Sequence, residues 1–439
     1  MRAADRQKFE SIKKDLEARM NRKGLSRLRK NVRFTETREG LRIDLIDLAG
    51  NVTASSNPLR VLPKRSRVSF WADLHGQSQE TIGTNNARDY FAFARDRAFL
   101  DATVHQGNDF QITSDFWAEL NTLSREFTQD SRFVVIPGYE WSANTCLGGD
   151  RNILYAEEGR PIYRSSHALV EDRSDLVQDA NSVEDLFGKL KDEDVMVFAH
   201  VGGRYADIRR GHDRDKERSV EVHSAWGTFE WLVEDALDMG YRTGIVANSD
   251  GHKGRPGASY PGASLFGAVG GLTCMLMPDL TRESLFDCIR KRRHYATTGG
   301  HGGRMVIDVK AQFDAPGTLY HDNPALDYPT PPEGFETRDA MMGDIVHLPE
   351  GGAQLNVDIQ AAAPVERVDI FNGRDLIETI RPYTQEDLGG RIRVHWEGAE
   401  YRGRFRQVIW DGTAHVQDNE IVRAEAFNFF NPEKVLEQT

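Results

Sequence analysis

The stretch GIVANSDGHKGRPG, residues 244–257, decides how the chain is read. Gly244 to Ala247 has the apolar character of a short buried strand and runs straight into Asp250, Gly251 and His252. A carboxylate and an imidazole two residues apart point the same way on an extended backbone. Both are costly to bury without a partner. The rest of the chain shows what such a pair would hold.

From residue 67 to about 300, apolar runs alternate with amphipathic segments. The expected strands are VSFWADLH, FLDATVHQ, FVVIPGYE, RNILY, VMVFAH, SVEVHS and TGIVANSD. Helices are expected over 86–98, 115–128, 183–192, 229–239 and 282–293. Ser182, Thr228 and Thr281 sit where N-caps belong, and Gly240 where a C-cap glycine belongs. This alternation predicts an α/β fold with a parallel sheet or barrel. After residue 303 the pattern changes to short alternating runs, QLNVDIQA, VERVDIFNGRDLIETI, GRIRVHWEG and RQVIWDGTAHV, with a hairpin signal at Asn372-Gly373. These predict an antiparallel, sandwich-like β-domain. Three parts are expected: an N-terminal helix and β-segment (1–65), the α/β part (66–302) and the β-rich part (303–439). Phe9, Ile12, Leu16 and Met20 mark a helix over 5–23, docked on its own domain or used in a homo-oligomer contact.

Nearly every strand of the middle part ends in a polar residue suited to metal binding. Asp73 and His75 follow the first strand; His105, Asn108 and Asp109 follow the second. Glu140, Asp150, His200, Glu221 and His223 follow in turn, before Asp250 and His252. In a parallel barrel these ends share one face. Imidazoles and carboxylates brought together repel or stay uncompensated unless a cation joins them. They are also the ligand set of hydrolytic zinc, manganese and iron sites. The opening stretch is therefore expected to hold a metal.

The motifs DLHGQS, GYEW, FAH and NSDGH, in this order, resemble the polymerase and histidinol phosphatase (PHP) superfamily. ARDRAFLDA, GDRN, VEVHSAWG, NSDGHKGRPG and RKRRHYATTG are similar to its branch called domain of unknown function 3604, which includes carbaryl hydrolase-like enzymes. The resemblance covers about residues 66–300. It implies a distorted (β/α)7 PHP-type barrel with a metal cluster at the strand ends. By position it assigns His75, Glu140, His200, Asp250 and His252 as ligands, with Glu140 bridging. Three places depart from the pattern. Gln77 replaces a histidine, Gln106-Gly107-Asn108 replaces Thr-Asp-His, and Asp150 replaces a histidine while remaining able to bind a metal. One or two divalent ions (Zn, Mn or Fe) are expected rather than three.

Other residues carry alternatives. Arg151, Arg204, Lys253 and Arg255 adjoin the ligand motifs and would clamp a substrate anion or pair with a carboxylate of the site. His105 and His223 would donate a proton or hold a ligand in place. His167 lies in a loop. Arg151, His223, Arg255 and His105 form the expected catalytic set. The resulting expectation is a hydrolase that uses metal-activated water on an ester, carbamate or amide bond. Its rivals are a phosphoesterase and a barrel that binds without turnover.

Composition narrows the partners. Asp and Glu (68) outnumber Lys and Arg (56), for a net charge of −12. That opposes nonspecific nucleic-acid binding and favours a small-molecule substrate. No stretch has the roughly 20 apolar residues of a membrane span. The first 20 residues lack the apolar core of a secretory signal, and three cysteines do not make a disulfide framework. A cytoplasmic setting is expected.

Overall fold

The structure is a computed structural model. It describes residues 67–258, 269–299, 304–325 and 330–394, with shorter stretches within 9–55 and 402–425. The chain divides into two compact units, residues 1–66 and 67–439. In the first, β1 (Val32–Glu36), β2 (Leu41–Ile46) and β3 (Val52–Ser55) form an antiparallel meander. Buried Asp44 gathers the three strands: it accepts from Thr35, Arg42 and Ser55. The expected first helix falls partly outside the described residues; within it, 9–11, 13–14 and 16–18 are helical.

The second unit opens with β4 (Val68–Asp73), α1 (Ala87–Asp96), β5 (Ala102–Val104), α2 (Ser114–Phe127) and β6 (Val134–Ile136). Then come β7 (Gly138–Ser142), β8 (Asp150–Tyr155), α3 (Val183–Lys189), β9 (Val195–Ala199), β10 (Ser219–Ser224) and β11 (Gly227–Thr228). The α/β part ends with α4 (Glu230–Asp238), β12 (Gly244–Ala247), β13 (Leu272–Met277), α5 (Arg282–Arg290) and β14 (His294–Thr297). Each predicted helix is present. Ser182 and Thr281 cap their helices by accepting from Asp185 N–H and Ser284 N–H. Thr228 does not cap: it pairs with His223 in β11, and Phe229 takes the N-cap position.

The sheet is mixed, which corrects the all-parallel expectation. β4, β5 and β6 are parallel, as are β9, β10 and β12. β8 runs antiparallel to both of its neighbours, β7 and β9. The connection from β7 to β8 spans residues 143–149, too short for the crossover of a dozen or more residues that a parallel pair needs. Nor does a closed barrel form among the described residues. The strands make a five-stranded sheet, β14-β13-β4-β5-β6, and a six-stranded one, β11-β10-β9-β8-β7 with β12 beside β10. The break falls at Pro137, between β6 and β7, where the chain has no N–H to give. Two isolated parallel bridges, Gly76 with Gly251 and Asn108 with Glu140, join the sheets at the end that carries the polar residues.

The core lies on both faces of these sheets. Tyr90, Phe91 and Leu120 pack with Tyr139, Trp141 and Trp71 on one side. Val104, Leu154, Phe198 and Met275 pack with Leu285 and Ile289 of α5 on the other.

After residue 303, β15 (Val306–Tyr320) pairs antiparallel with β16 (Phe335–Met341), β17 (Ile345–His347) and β18 (Ala353–Gln360). β19 (Val368–Asn372) and β20 (Asp375–Ile380) form the hairpin expected at Asn372-Gly373, with Gly373 at φ 62°. The antiparallel character is as expected, but Leu355 and Val357 of β18 are exposed, and the described strands do not make a closed sandwich. The expected strands at GRIRVHWEG and RQVIWDGTAHV lie largely outside the described residues. The basic run RKRRH ties these strands to the α/β part. Arg292 donates to the carbonyls of Gly343 and His321, and Arg293 pairs with Asp344 at 2.6 Å.

Candidate metal centre

His75 follows β4, His200 follows β9, and Glu140 sits within β7. These three side chains are buried, and their donor atoms lie within 4.8 Å of one another. His75 Nε2 is 3.7 Å from Glu140 Oε2, and His200 Nε2 is 3.7 Å from Glu140 Oε1. The two imidazoles meet edge to face, with centroids 4.5 Å apart. A separation of 3.7 Å is too long for a hydrogen bond. Two donors bound at about 2.1 Å to one tetrahedral ion stand about 3.4 Å apart. His75 Nε2 and both ring nitrogens of His200 are buried without a hydrogen-bond partner among the described residues. Buried polar atoms are ordinarily satisfied, so the two Nε2 atoms that face one carboxylate without hydrogen bonds fit the donor set of a cation site.

The electrostatics agree. Burial alone would raise the Glu140 carboxyl; His200 and His75 outweigh it and hold the group well below the ordinary carboxylate range. Burial opposes charge on His75 as well, yet Asp250, Glu221 and Glu140 raise it well above the usual imidazole value. The centre demands positive charge, which protons or a metal ion would provide.

The surrounding residues fix these donors. His75 Nδ1–H donates to Glu221 Oε1 at 3.0 Å, which turns Nε2 and its lone pair toward Glu140. Glu221 in turn accepts from Asn248 at 2.6 Å and Asn152 at 3.4 Å. Glu221 was visible in the sequence only as a strand-end acid; its role depends on a partner 146 residues away. Gln77 and Asn108, poor ligands by type, serve Glu140 instead. Gln77 donates to Oε2 at 3.2 Å, and Asn108 donates to Ser142, whose hydroxyl donates to Oε1 at 2.9 Å.

Asp250 and His252 reach the centre by a bend rather than along an extended strand. β12 ends at Ala247, and Asp250 has φ 44°. Its Oδ1 lies 3.3 Å from His75 Nε2 and 3.6 Å from His252 Nε2. His252 is the part-exposed member, with 17% of its side chain accessible. Asp73, buried behind them, accepts from the backbone N–H groups of Ser249 at 2.9 Å and Gly257 at 2.7 Å.

Asp150 begins β8, and because β8 runs antiparallel its start lies beside the end of β9, next to His200. It is buried and paired with Arg204 at 2.6 Å. Burial pushes its carboxyl up to about 7 against the pull of Arg204.

The expected catalytic set is not assembled here. Arg151 follows Asp150 and therefore faces the other side of the strand. Its guanidinium pairs with Glu217 at 2.9 Å and donates to the carbonyls of Gly148 and Gly211. Arg255 is exposed in its loop, as is Lys253. His105 is buried against Ser78, and desolvation pushes it down to about 3, so it holds no spare proton near neutrality. His223 sits between the Thr228 hydroxyl and the Val269 carbonyl, 2.7 Å from each, and burial lowers its pKa. His167 bridges Asp175 and Asp179 within its loop. Trp71 and Trp141 are core residues, and Cys146 is exposed.

No family model matches the chain. A Chlamydia pneumoniae protein named only as uncharacterized is 24% identical over 285 residues, which is 59% of this chain and 44% of that protein. One from Chlamydia trachomatis, also uncharacterized, is 21% identical over 388 residues, or 80% and 56%. The chain thus spans about half the length of the curated relatives it matches. Among solved structures, a two-domain protein of Bacteroides vulgatus with a predicted PHP-like metal-dependent phosphoesterase is similar at TM-score 0.38 and 12% identity. That match covers 71% of this chain and 92% of the other. Endonuclease Q bound to a duplex with an abasic lesion is similar at TM-score 0.32 and 10% identity, covering 51% and 57%. No described helix is long and apolar enough to cross a membrane.

Proposed function

We propose that the protein is a metal-dependent hydrolase of the PHP type, in the domain of unknown function 3604 branch. It acts on an ester, carbamate or amide bond of a small molecule. The observation that carries this reading is the pair of partnerless Nε2 atoms of His75 and His200 that face the Glu140 carboxylate. These residues would hold a zinc, manganese or iron ion, with Asp250 and His252 as further donors at the rim. Such an ion supplies Lewis acidity and a water acidic enough to serve as nucleophile near neutral pH. The chain's own residues do the rest. Glu221 fixes the ring and tautomer of His75. Gln77 and Ser142 fix the Glu140 carboxylate. Arg204, one quarter exposed and lying over Phe110, places a cation where an anionic substrate oxygen would develop charge.

The test is elemental analysis of the purified protein together with hydrolysis of a panel of aryl esters, carbamates and phosphate esters. Metal content near one ion per chain with turnover of an ester or carbamate supports the proposal. Turnover of phosphate esters alone moves the assignment to a phosphoesterase. Metal without turnover of any member leaves a binding protein.

A further inference from the structure

We infer that Arg204 stands where a second metal ion would otherwise sit, so that the centre holds one ion rather than two. The inference rests on the metal site proposed above. Asp150 is the acid placed to serve a second ion beside His200, and it spends both oxygens on Arg204. Oδ1 accepts from Nε at 2.6 Å, and Oδ2 accepts from the backbone N–H of the same residue at 3.0 Å. The guanidinium then reaches toward Glu140, with Nη2 3.7 Å from Oε1. One cation thereby faces both carboxylates that a second ion would join.

Asp150 and His200 come together beside residue 202. Residue 202 is glycine, and a Cβ there would stand 3.2 Å from both Asp150 Oδ2 and His200 Nε2. Oδ2, the oxygen beside residue 202, is held by the Arg204 backbone N–H, and the guanidinium takes Oδ1. Arg204 is also held in place. It lies in a tight turn closed by the Val201–Tyr205 bridge, and its guanidinium lies 5.8 Å from the Phe110 ring. Glu140 fits the same count. Each of its oxygens already accepts one hydrogen bond, from Gln77 or Ser142, and each faces one imidazole. The neutral Gln77 and Asn108 add no charge that would call for a further divalent ion.

The measurement is metal stoichiometry, read by elemental analysis and by zinc titration calorimetry on the full chain, with circular dichroism as the folding check. The wild type is expected to bind one ion tightly, Arg204→Gln two, and Arg204→Gln/Asp150→Asn one again. Asp150→Asn alone is expected to keep the single ion, a result that does not depend on Arg204→Gln folding. Two ions in the wild type, one ion in well-folded Arg204→Gln, or loss of the ion in Asp150→Asn would each overturn the inference while leaving the His75–Glu140–His200 site standing. A wild type that binds no zinc would instead remove the site, and the inference with it.

Discussion

Two buried clusters of charge lie on opposite faces of β8. On one, Asp150 lies beside His200 and pairs with Arg204, which reaches toward Glu140; on the other, Arg151, Glu217 and His212 come together. Both are buried, and both mix acids, a guanidinium and imidazole. They differ in how fully they are paired. Glu217 takes Arg151 on one oxygen at 2.9 Å and His212 on the other at 2.6 Å, and the rest of Arg151 is spent on carbonyls. In the other cluster, His75 Nε2 and both ring nitrogens of His200 have no hydrogen-bond partner among the described residues. A satisfied cluster is structural cement; an unsatisfied one is shaped for something else. Burial and charge alone would not have separated them.

The largest expected effect breaks the comparison directly. Glu140→Ala and His200→Ala should each leave a folded chain that retains less than about a tenth of its metal and shows no turnover. Wild-type metal content in both variants, by elemental analysis, would sink the site. Glu217→Ala should do the opposite. It strands the buried Arg151 guanidinium and should cost about 3–5 kcal/mol of stability in denaturant, with metal per folded chain unchanged. If metal is lost in step, the two faces of β8 are not independent.

A subtler change sharpens the contrast. Glu221→Gln keeps the shape beside His75 but removes the charge that orients it. Metal affinity should fall about 10- to 100-fold, with little change in melting behaviour. An unchanged affinity would mean that ring orientation is set elsewhere.

The smallest effect is a pH dependence outside both clusters. His294 is buried beside Ser219, and burial together with Arg292 pushes it down to about 4. Below pH 6.5 the unfolded chain takes up a proton that the folded chain refuses until about pH 4. Stability from this residue is therefore full at neutral pH and is lost as the pH falls. At pH 5 the loss should be on the order of 2 kcal/mol. In His294→Gln the stability difference between pH 7 and pH 5 should shrink by a similar amount; an identical slope would rule the residue out as its source.

Local signals were readable in the sequence, and distant pairings were not. The caps at Ser182 and Thr281 follow from neighbours three residues away. Thr228 looked the same but was claimed by His223 across a strand pair. The antiparallel turn of β7 into β8 was implicit in a seven-residue connection, although the repeating β/α pattern masked it. In the site, His75, Glu140 and His200 announced themselves as polar residues at or near strand ends. Their relation to Glu221, Gln77 and Arg204 did not, because residue type does not say which donor meets which acceptor after folding. Arg151 shows the cost most clearly. It adjoins Asp150 in sequence, yet strand alternation turns it to the other cluster.

One consequence follows from Asp73. Its two carboxylate oxygens hold the amides of Ser249 and Gly257, the two ends of the segment that carries Asp250 and His252. A segment fastened at both ends by one side chain loses both fastenings when that side chain turns away. In amide hydrogen exchange, Ser249 and Gly257 should therefore open as a single event, with a shared rate that Asp73→Asn alters at both positions together. The rim of the metal centre would then move as a hinged flap, not as a fraying loop.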